Sequence, residues 1–342
     1  MGLASDPVFR VYDHLDCGVS ALSAAAGAIH PASIFRDRRK TPVNTAGVQK
    51  KLQAAPRYLL TWVVLDFIYI CVISVFLENK IHLPSVNFFV AHFSGIAIGT
   101  MVMFTGIGGG VLWIPVLTIL GIKPAEAVAI SIFTQIAGKG VGSINYLRAG
   151  MVDLDVAAVF VPVAFVGALI GFISGFMISA RYEKLLLYIF LLVATYLLVK
   201  MILSLSEDQS EPQAIYDAKA MKKSYPVVLF SSFFTGLLSI GNSDWLIPYM
   251  QRKLKLSTSH SVATGIFVMF ATSVFFLLMT VVSVWFGLQS WPDGAPVLFA
   301  TCSGVMMGGQ IGTRLVRYQW LKDRQKHAFI LLLAMSIIHL LW

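Results

Sequence analysis

Three stretches of this sequence bring together residue types that bind anions in an apolar setting. The first is TGIGGG, Thr105 to Gly110, directly ahead of the apolar run VLWIPVLTIL. Successive glycines present backbone N–H groups with no Cβ in the way. A short helix beginning there turns the positive end of its dipole toward them, which is the makeup of an oxyanion site. Gly106, Gly108, Gly109 and Gly110 are therefore candidate substrate-binding positions. Close helix packing of the small-xxx-small kind is the competing use of the same glycines. A dinucleotide fingerprint needs a preceding strand and a βαβ unit, and this stretch has neither.

The second stretch is the apolar segment 125–147. Ser131, Thr134, Gln135, Gly138, Lys139, Gly142, Asn145 and Tyr146 recur there at spacings of three and four. On a helix they fall within an arc of about 140°. A lysine well inside a membrane segment costs about 2.5–3.5 kcal/mol, so Lys139 needs a partner or a route to the surface. An anionic substrate is one partner; snorkelling toward the helix end at Arg148 is the alternative. Ser131, Thr134, Gln135 and Lys139 join the candidate binding set.

The third stretch, Gly241, Asn242, Ser243 and Asp244, stands where a glycine cluster would recur farther along the chain. Asp244 has three open roles. It could cap the half-helix that follows, act as a protonatable coupling or gating group, or pair with a cation such as Lys139. Asp66, His92 and His260 stand alone, without metal-site spacing. No GxSxG, SxxK or HExxH constellation is present, so the expectation is no enzyme, no metal and no other cofactor.

Membrane-spanning elements must position these residues. Of 342 residues, 57% are hydrophobic and 13% charged, against roughly 45–50% and about 25% in soluble globular chains. That composition excludes a water-soluble enzyme, and equally a disordered chain. Cys17, Cys71 and Cys302 are widely separated and exclude a disulfide framework. Spanning helices need about 20 apolar residues. Apolar blocks lie at 59–77, 86–120, 125–147, 154–179, 183–205, 225–250, 260–288, 294–315 and 326–342.

The polar connection 206–224 separates two halves of similar layout, and self-comparison pairs them. IGGGVLWIP (107–115) matches IGNSDWLIP (240–248), LGIKPAEAVA (120–129) matches LKLSTSHSVA (254–263), and GALIG (167–171) matches GGQIG (308–312). Glycine-interrupted segments at matching positions of two halves point to a transporter site. The expected fold is an all-α integral membrane protein of two homologous, inverted halves. Each half is a Gly-interrupted re-entrant or broken helix plus three transmembrane helices, and one extra N-terminal transmembrane helix precedes them. The expected domains are a basic cytoplasmic extension (1–57), the extra helix and its loop (58–85), repeat 1 (86–205), a polar linker (206–224) and repeat 2 (225–342).

The net charge is +9. If both interrupted elements are re-entrant and the N-terminus is inside, the inner loops hold twelve Lys and Arg and the outer loops four. If both elements cross, the split is eleven to five. The positive-inside rule favours the first arrangement by a small margin. The basic residues then set topology and meet acidic headgroups of the bilayer, and no nucleic-acid partner is needed.

The run GIGGGVLWIPVLTILGIKPAEAVAIS, Gly106 to Ser131, resembles the hallmark of the TauE/SafE family, also called the sulfite exporter family. GLLSIGNSDWLIP (236–248) and HSVATGIF (260–267), which contains Thr264, resemble its weaker second half-motif; Asn242, Ser243 and Asp244 depart from its glycine run. The resemblance covers about 86–342 and implies a secondary transporter of the cytoplasmic (inner) membrane for small sulfur-containing anions. Sulfite and C2–C3 sulfonates are such anions, and the implied direction is generally outward. Thr264 is carried into the substrate-binding set on this ground. At 100 mV negative inside, export of one negative charge gains about 2.3 kcal/mol, so H+ coupling is possible without being required.

A passive anion channel and a membrane scaffold or sensor that uses residues 1–57 are the rival readings. Removal of residues 1–57 separates the last from a transporter. Anion flux of the shortened chain in proteoliposomes is expected to match that of the full chain, and a lost flux would assign the extension an essential role.

Overall fold

The computed structural model describes residues 88–106, 108–179, 183–203, 221–290 and 295–315, with isolated positions outside these ranges. The expected extension 1–57, most of the extra helix 59–77, most of the linker 206–224 and most of the last block 326–342 lie outside the described residues. Among the described residues the structure is all-helical. The helices are α1 (Phe88–Thr105), α2 (Gly110–Ile119), α3 (Pro124–Arg148), α4 (Leu154–Ser179), α5 (Glu183–Leu203), α6 (Tyr225–Leu238), α7 (Ser243–Lys253), α8 (Thr258–Trp285) and α9 (Ala295–Leu315). Glu126–Arg148, Leu154–Ile178 and Thr258–Trp285 are long and apolar enough to cross a membrane. The helical state follows from the medium, since a backbone in lipid must satisfy its hydrogen bonds internally.

Each interrupted block resolves into a helix, a short break and a second helix. The two breaks share their backbone conformation at the residue that ends the first helix and at the residue that precedes the second. Gly106 (φ +75) and Ser239 (φ 60) both adopt the left-handed region that ends a helix. Gly109 and Asn242, which precede α2 and α7, have φ near −60 and ψ near −25. The turns after the short helices repeat the pattern at Gly121 (φ +81) and Lys255 (φ 54). Lys123 and Ser257, extended at ψ 145 and 154, then start α3 and α8. Both short helices also carry an internal proline, Pro115 and Pro248.

The packing of the two halves corresponds in the same way. α1 lies along α9, and α6 lies along α4; α2 packs on α3, and α7 on α8; α3 and α8 pack on each other. The GALIG and GGQIG segments are the contact points of the first two pairs. A Cβ at Gly167 or Gly171 would lie 2.4 or 2.0 Å from the carbonyl oxygens of Leu229 and Phe233 on α6. A Cβ at Gly308 or Gly312 would lie 2.4 Å from those of Ile96 and Thr100 on α1. The i, i+4 glycines let the backbones touch, which supplies dispersion contact where lipid provides no hydrophobic drive. In each pair the glycine helix of one half holds the helix that leads into the other half's break.

That geometry sets an expectation for stability. Gly171→Ala should cost about 1–3 kcal/mol through overpacking. Gly175→Ala, one turn on and 3.4 Å from the nearest atom, should be neutral or slightly stabilising. Thermal unfolding of the two variants in detergent checks the difference.

Candidate functional site

The chemistry-bearing residues converge where the two breaks meet. Gly108 and Gly241 approach so closely that a Cβ on either would lie 2.4 Å from the other's Cα. A Cβ at Gly110 would lie 1.8 Å from Ser239 O. Glycine is required at these positions because another backbone occupies the side-chain space. The packing and anion-site readings of the glycine run are therefore compatible. The same close approach that demands glycine brings the amides of one break to the other.

The polar arc of α3 faces this junction. Ser131, Thr134, Gln135, Lys139 and Tyr146 are all buried, so the amphipathic face points into protein. Lys139 is only 1% exposed, and its Nζ donates to Gln135 Oε1 at 2.8 Å. It does not snorkel. Gln135 Nε2 in turn donates to Ser239 Oγ (2.8 Å) and to Ser239 O (3.1 Å), and Ser239 Oγ donates to Ser131 Oγ at 2.8 Å. One network thus runs from a buried ammonium on α3 to the break between α6 and α7. Thr134 reaches across to α9, its hydroxyl 2.9 Å from that of Thr301.

Side chains also satisfy the backbone at both breaks. Tyr146 Oη donates to Met103 O at 2.9 Å, near the end of α1. Thr235 Oγ1 donates to Ile240 O at 2.7 Å, and Gln135 takes Ser239 O. Gly108 N donates to Asp244 Oδ1. Asp244 therefore does not cap its own helix, the first of the roles open to it. It bonds an amide of the other half. No Asp244–Lys139 salt bridge is formed among the described residues. Asn242 Nδ2 donates to Ser232 Oγ and Thr272 Oγ1 at 3.2 and 3.1 Å, which ties the second break to α6 and α8. Asn242 Oδ1, Ser243 Oγ and Asp244 Oδ2 are buried atoms with no partner.

A narrow cleft opens beside this network, lined by Val102, Gly109, Trp113, Gln135, Gly138 and Lys139 among others. It has room for about one water-sized molecule. Gly109, Thr134, Gln135 and Lys139 thus share one cavity. Gly108, Gly110, Ser131, Gly241, Asn242, Ser243 and Asp244 form the seam beside it. Two candidates lie apart. Gly106 faces Ile247 and Val262, and the Thr264 hydroxyl accepts from Asp153 N at 2.9 Å, in the α3–α4 connection.

Ser239 is the residue that motif reasoning missed. It stands opposite Gly106 when the IGGG and IGNS segments are aligned, so its left-handed conformation was available from the repeat. Its bond to Gln135 was not. α8 also buries hydroxyls, among them Ser261, Thr264, Thr272 and Ser273, but it carries no glutamine or lysine. Thr272 and Ser273, aligned with Gly138 and Lys139, donate to Val268 O and Met269 O of their own helix, and Thr272 Oγ1 also accepts from Asn242 Nδ2. The buried lysine of α3 thus has no equivalent on α8.

Gln135 holds three groups at once, and its loss strands a buried ammonium and a buried carbonyl. Gln135→Leu is expected to cost at least about 2 kcal/mol, whereas Gln135→Glu keeps an acceptor for Lys139 and should unfold closer to wild type. Thermal melts in detergent check the order.

Comparison with known proteins bears on the family that the sequence motif resembles. Residues 91–340 match the family described as Sulfite exporter TauE/SafE. "Sulfite exporter TauE/SafE family protein 1" of Arabidopsis thaliana is 32% identical over 113 residues, 33% of this chain and 23% of that protein. The chain thus spans under a quarter of that relative's length. "Probable membrane transporter protein YjnA" of Bacillus subtilis (strain 168) is 24% identical over 234 residues, 64% of this chain and 88% of that protein. No solved structure matches. With the family match covering most of the chain and both breaks, the protein belongs to the TauE/SafE sulfite exporter family of membrane transporters.

Proposed function

We propose that the protein is a secondary transporter of the cytoplasmic membrane that carries small sulfur-containing oxyanions, sulfite or C2–C3 sulfonates, outward by alternating access. The observation that carries this reading is the buried Lys139–Gln135–Ser239–Ser131 network at the meeting point of two helix breaks. A lysine is kept inside a membrane at a cost of several kcal/mol where a pathway or partner needs it. Here its described hydrogen-bond partner is a neutral amide, which leaves its charge available to an anion. The first amides of α2 add the positive end of a helix dipole. In the loaded carrier the oxyanion lies between the amides of Gly108 to Gly110 and the side chains of Ser131, Gln135 and Lys139, with Gly241 to Ser243 closing the other side.

The same reading gives the chain two inverted repeats, 86–205 and 225–342, joined by the linker 206–224 and preceded by one extra helix and a basic extension on the cytoplasmic side. The matched left-handed turns and the exchanged packing, α1 on α9 and α6 on α4, support it. Such repeats alternate access by rocking one unit against the other around a central site. The close fit of the glycine faces limits the movement to whole helix pairs, because each pair has little room to slide. A cleft of about one water volume is too small for a polyatomic anion. The conformation described is closed at this seam, and loading requires the seam to part.

Removal of the cation tests the reading. Lys139→Met preserves the volume of the stem and should weaken sulfite uptake by proteoliposomes roughly 30-fold or more in apparent affinity, the usual consequence of deleting one member of a buried charge pair. Wild-type affinity and flux in this variant would contradict it.

A further inference from the structure

Asp244 is placed in the first turn of α7, where an acid ordinarily serves its own helix. Its carboxylate instead crosses the seam and accepts the Gly108 amide of the other half. That amide belongs to the group assigned above to the transported oxyanion. Asp244 is held there incompletely. Oδ2 is shut off from its surroundings and accepts nothing, although a carboxylate has room for about four donors. Lys139, the nearest buried cation on α3, donates to Gln135 and not to this carboxylate.

Two further groups at the seam lack partners. Ser243 and Asn242 are completely buried, yet Ser243 Oγ and Asn242 Oδ1 bond nothing. Ser243 Oγ lies 3.2 Å from the position a Gly241 Cβ would take, the same position that abuts Gly108 Cα at 2.4 Å. It is thus directed into the contact between the breaks. A buried hydroxyl without a partner is destabilising. This one is placed to donate to any oxyanion that enters there.

We propose that the Asp244 carboxylate is a tethered occupant of the first-break amide site, and that an incoming oxyanion must displace it to load the carrier. This rests on the oxyanion reading of the site given above. The empty protein then holds its own counter-anion, which fastens α7 to the first break and keeps the seam shut. An oxyanion with three oxygens replaces that single contact. It accepts from the Gly108 amide, takes a donor from Ser243, and reaches the Lys139–Gln135 pair that Asp244 does not contact. Loading and opening become one event, since the bond that closes the seam is the bond the substrate takes over.

The charge consequence is direct. In the loaded wild type, two negative groups share the field of Lys139, and they repel each other in a medium that screens poorly. Asp244→Asn keeps the shape and a neutral acceptor for Gly108 but removes the competing charge. Equilibrium binding of radiolabelled sulfite to the purified full-length protein should therefore tighten about tenfold or more in Asp244→Asn, and also in Asp244→Ala. Lys139→Met should weaken it. If the wild type binds and Lys139→Met weakens binding while both Asp244 variants bind like wild type or more weakly, the tethered-occupant proposal is overturned and the oxyanion site stands. If the wild type binds no sulfite, or Lys139→Met binds as well as wild type, the site reading fails first.

An infrared difference spectrum keeps the proposal open to test should the neutral variants not fold. With aspartate labelled at its carboxyl carbon, sulfite should shift a carboxylate band of the wild type that is missing from Asp244→Glu. The absence of any such shift at saturating sulfite would overturn the proposal.

Discussion

A helix that stops inside a membrane leaves the last carbonyls of one segment and the first amides of the next without partners, in a medium that supplies none. Among the described residues there are two such stops, one after α1 and one after α6, and each is satisfied in part from the opposite half. Tyr146 and Asp244 reach the first; Gln135 and Thr235 reach the second. Gln135 and Asp244 each reach across from the opposite half, so each break is completed by the other half. The glycines at 108, 110 and 241 follow from the same constraint, because the exchange of partners demands backbone contact. Most other features of the described fold serve to hold those two stops against each other.

The helix pairs illustrate this. α1 and α6 lead into the breaks, and each is gripped by glycines of the opposite half, Gly308 and Gly312 for α1, Gly167 and Gly171 for α6. Interhelical carbonyl contact of this kind fixes distance and register tightly, which is what two facing backbone turns need. Upon this matched frame sits an unmatched polar face. α3 offers Ser131, Gln135 and Lys139 to the junction, whereas at the aligned positions of α8 Thr272 accepts from Asn242 and Ser273 bonds its own helix. Lys139 stands on one side of the seam and Asp244 on the other.

Much of this was legible in the sequence, for physical reasons. The interruptions showed because Gly106 to Gly110 and Gly241 to Asp244 break long apolar runs. The inward face of α3 showed because polar residues at spacings of three and four define one side of a helix. GALIG and GGQIG stood out as repeat markers, although their use as backbone contact points needed their neighbours, Phe233 and Ile96, to be seen. What remained hidden depends on contacts distant in the chain. Asp244 reads locally as a cap for α7, and its partner Gly108 is 136 positions away. Ser239 reads as an ordinary polar residue in an apolar helix until Gln135 is found beside it. Thr264 follows a family-like motif but spends its hydroxyl on the backbone of Asp153. Local pattern identifies which residues carry polarity inside a membrane, and only tertiary structure says which of them face one another.

The central claim, that an oxyanion is held where the two breaks meet, concerns a position and is best tested by locating the anion. Selenite shares the charge and pyramidal shape of sulfite and scatters anomalously. Anomalous diffraction from crystals grown with selenite should give a peak within hydrogen-bonding distance of Lys139 and the Gly108–Gly110 amides, with Asp244 moved off Gly108. Peaks found only elsewhere, with Lys139 still on Gln135 and Asp244 still on Gly108 at saturating selenite, would contradict the account.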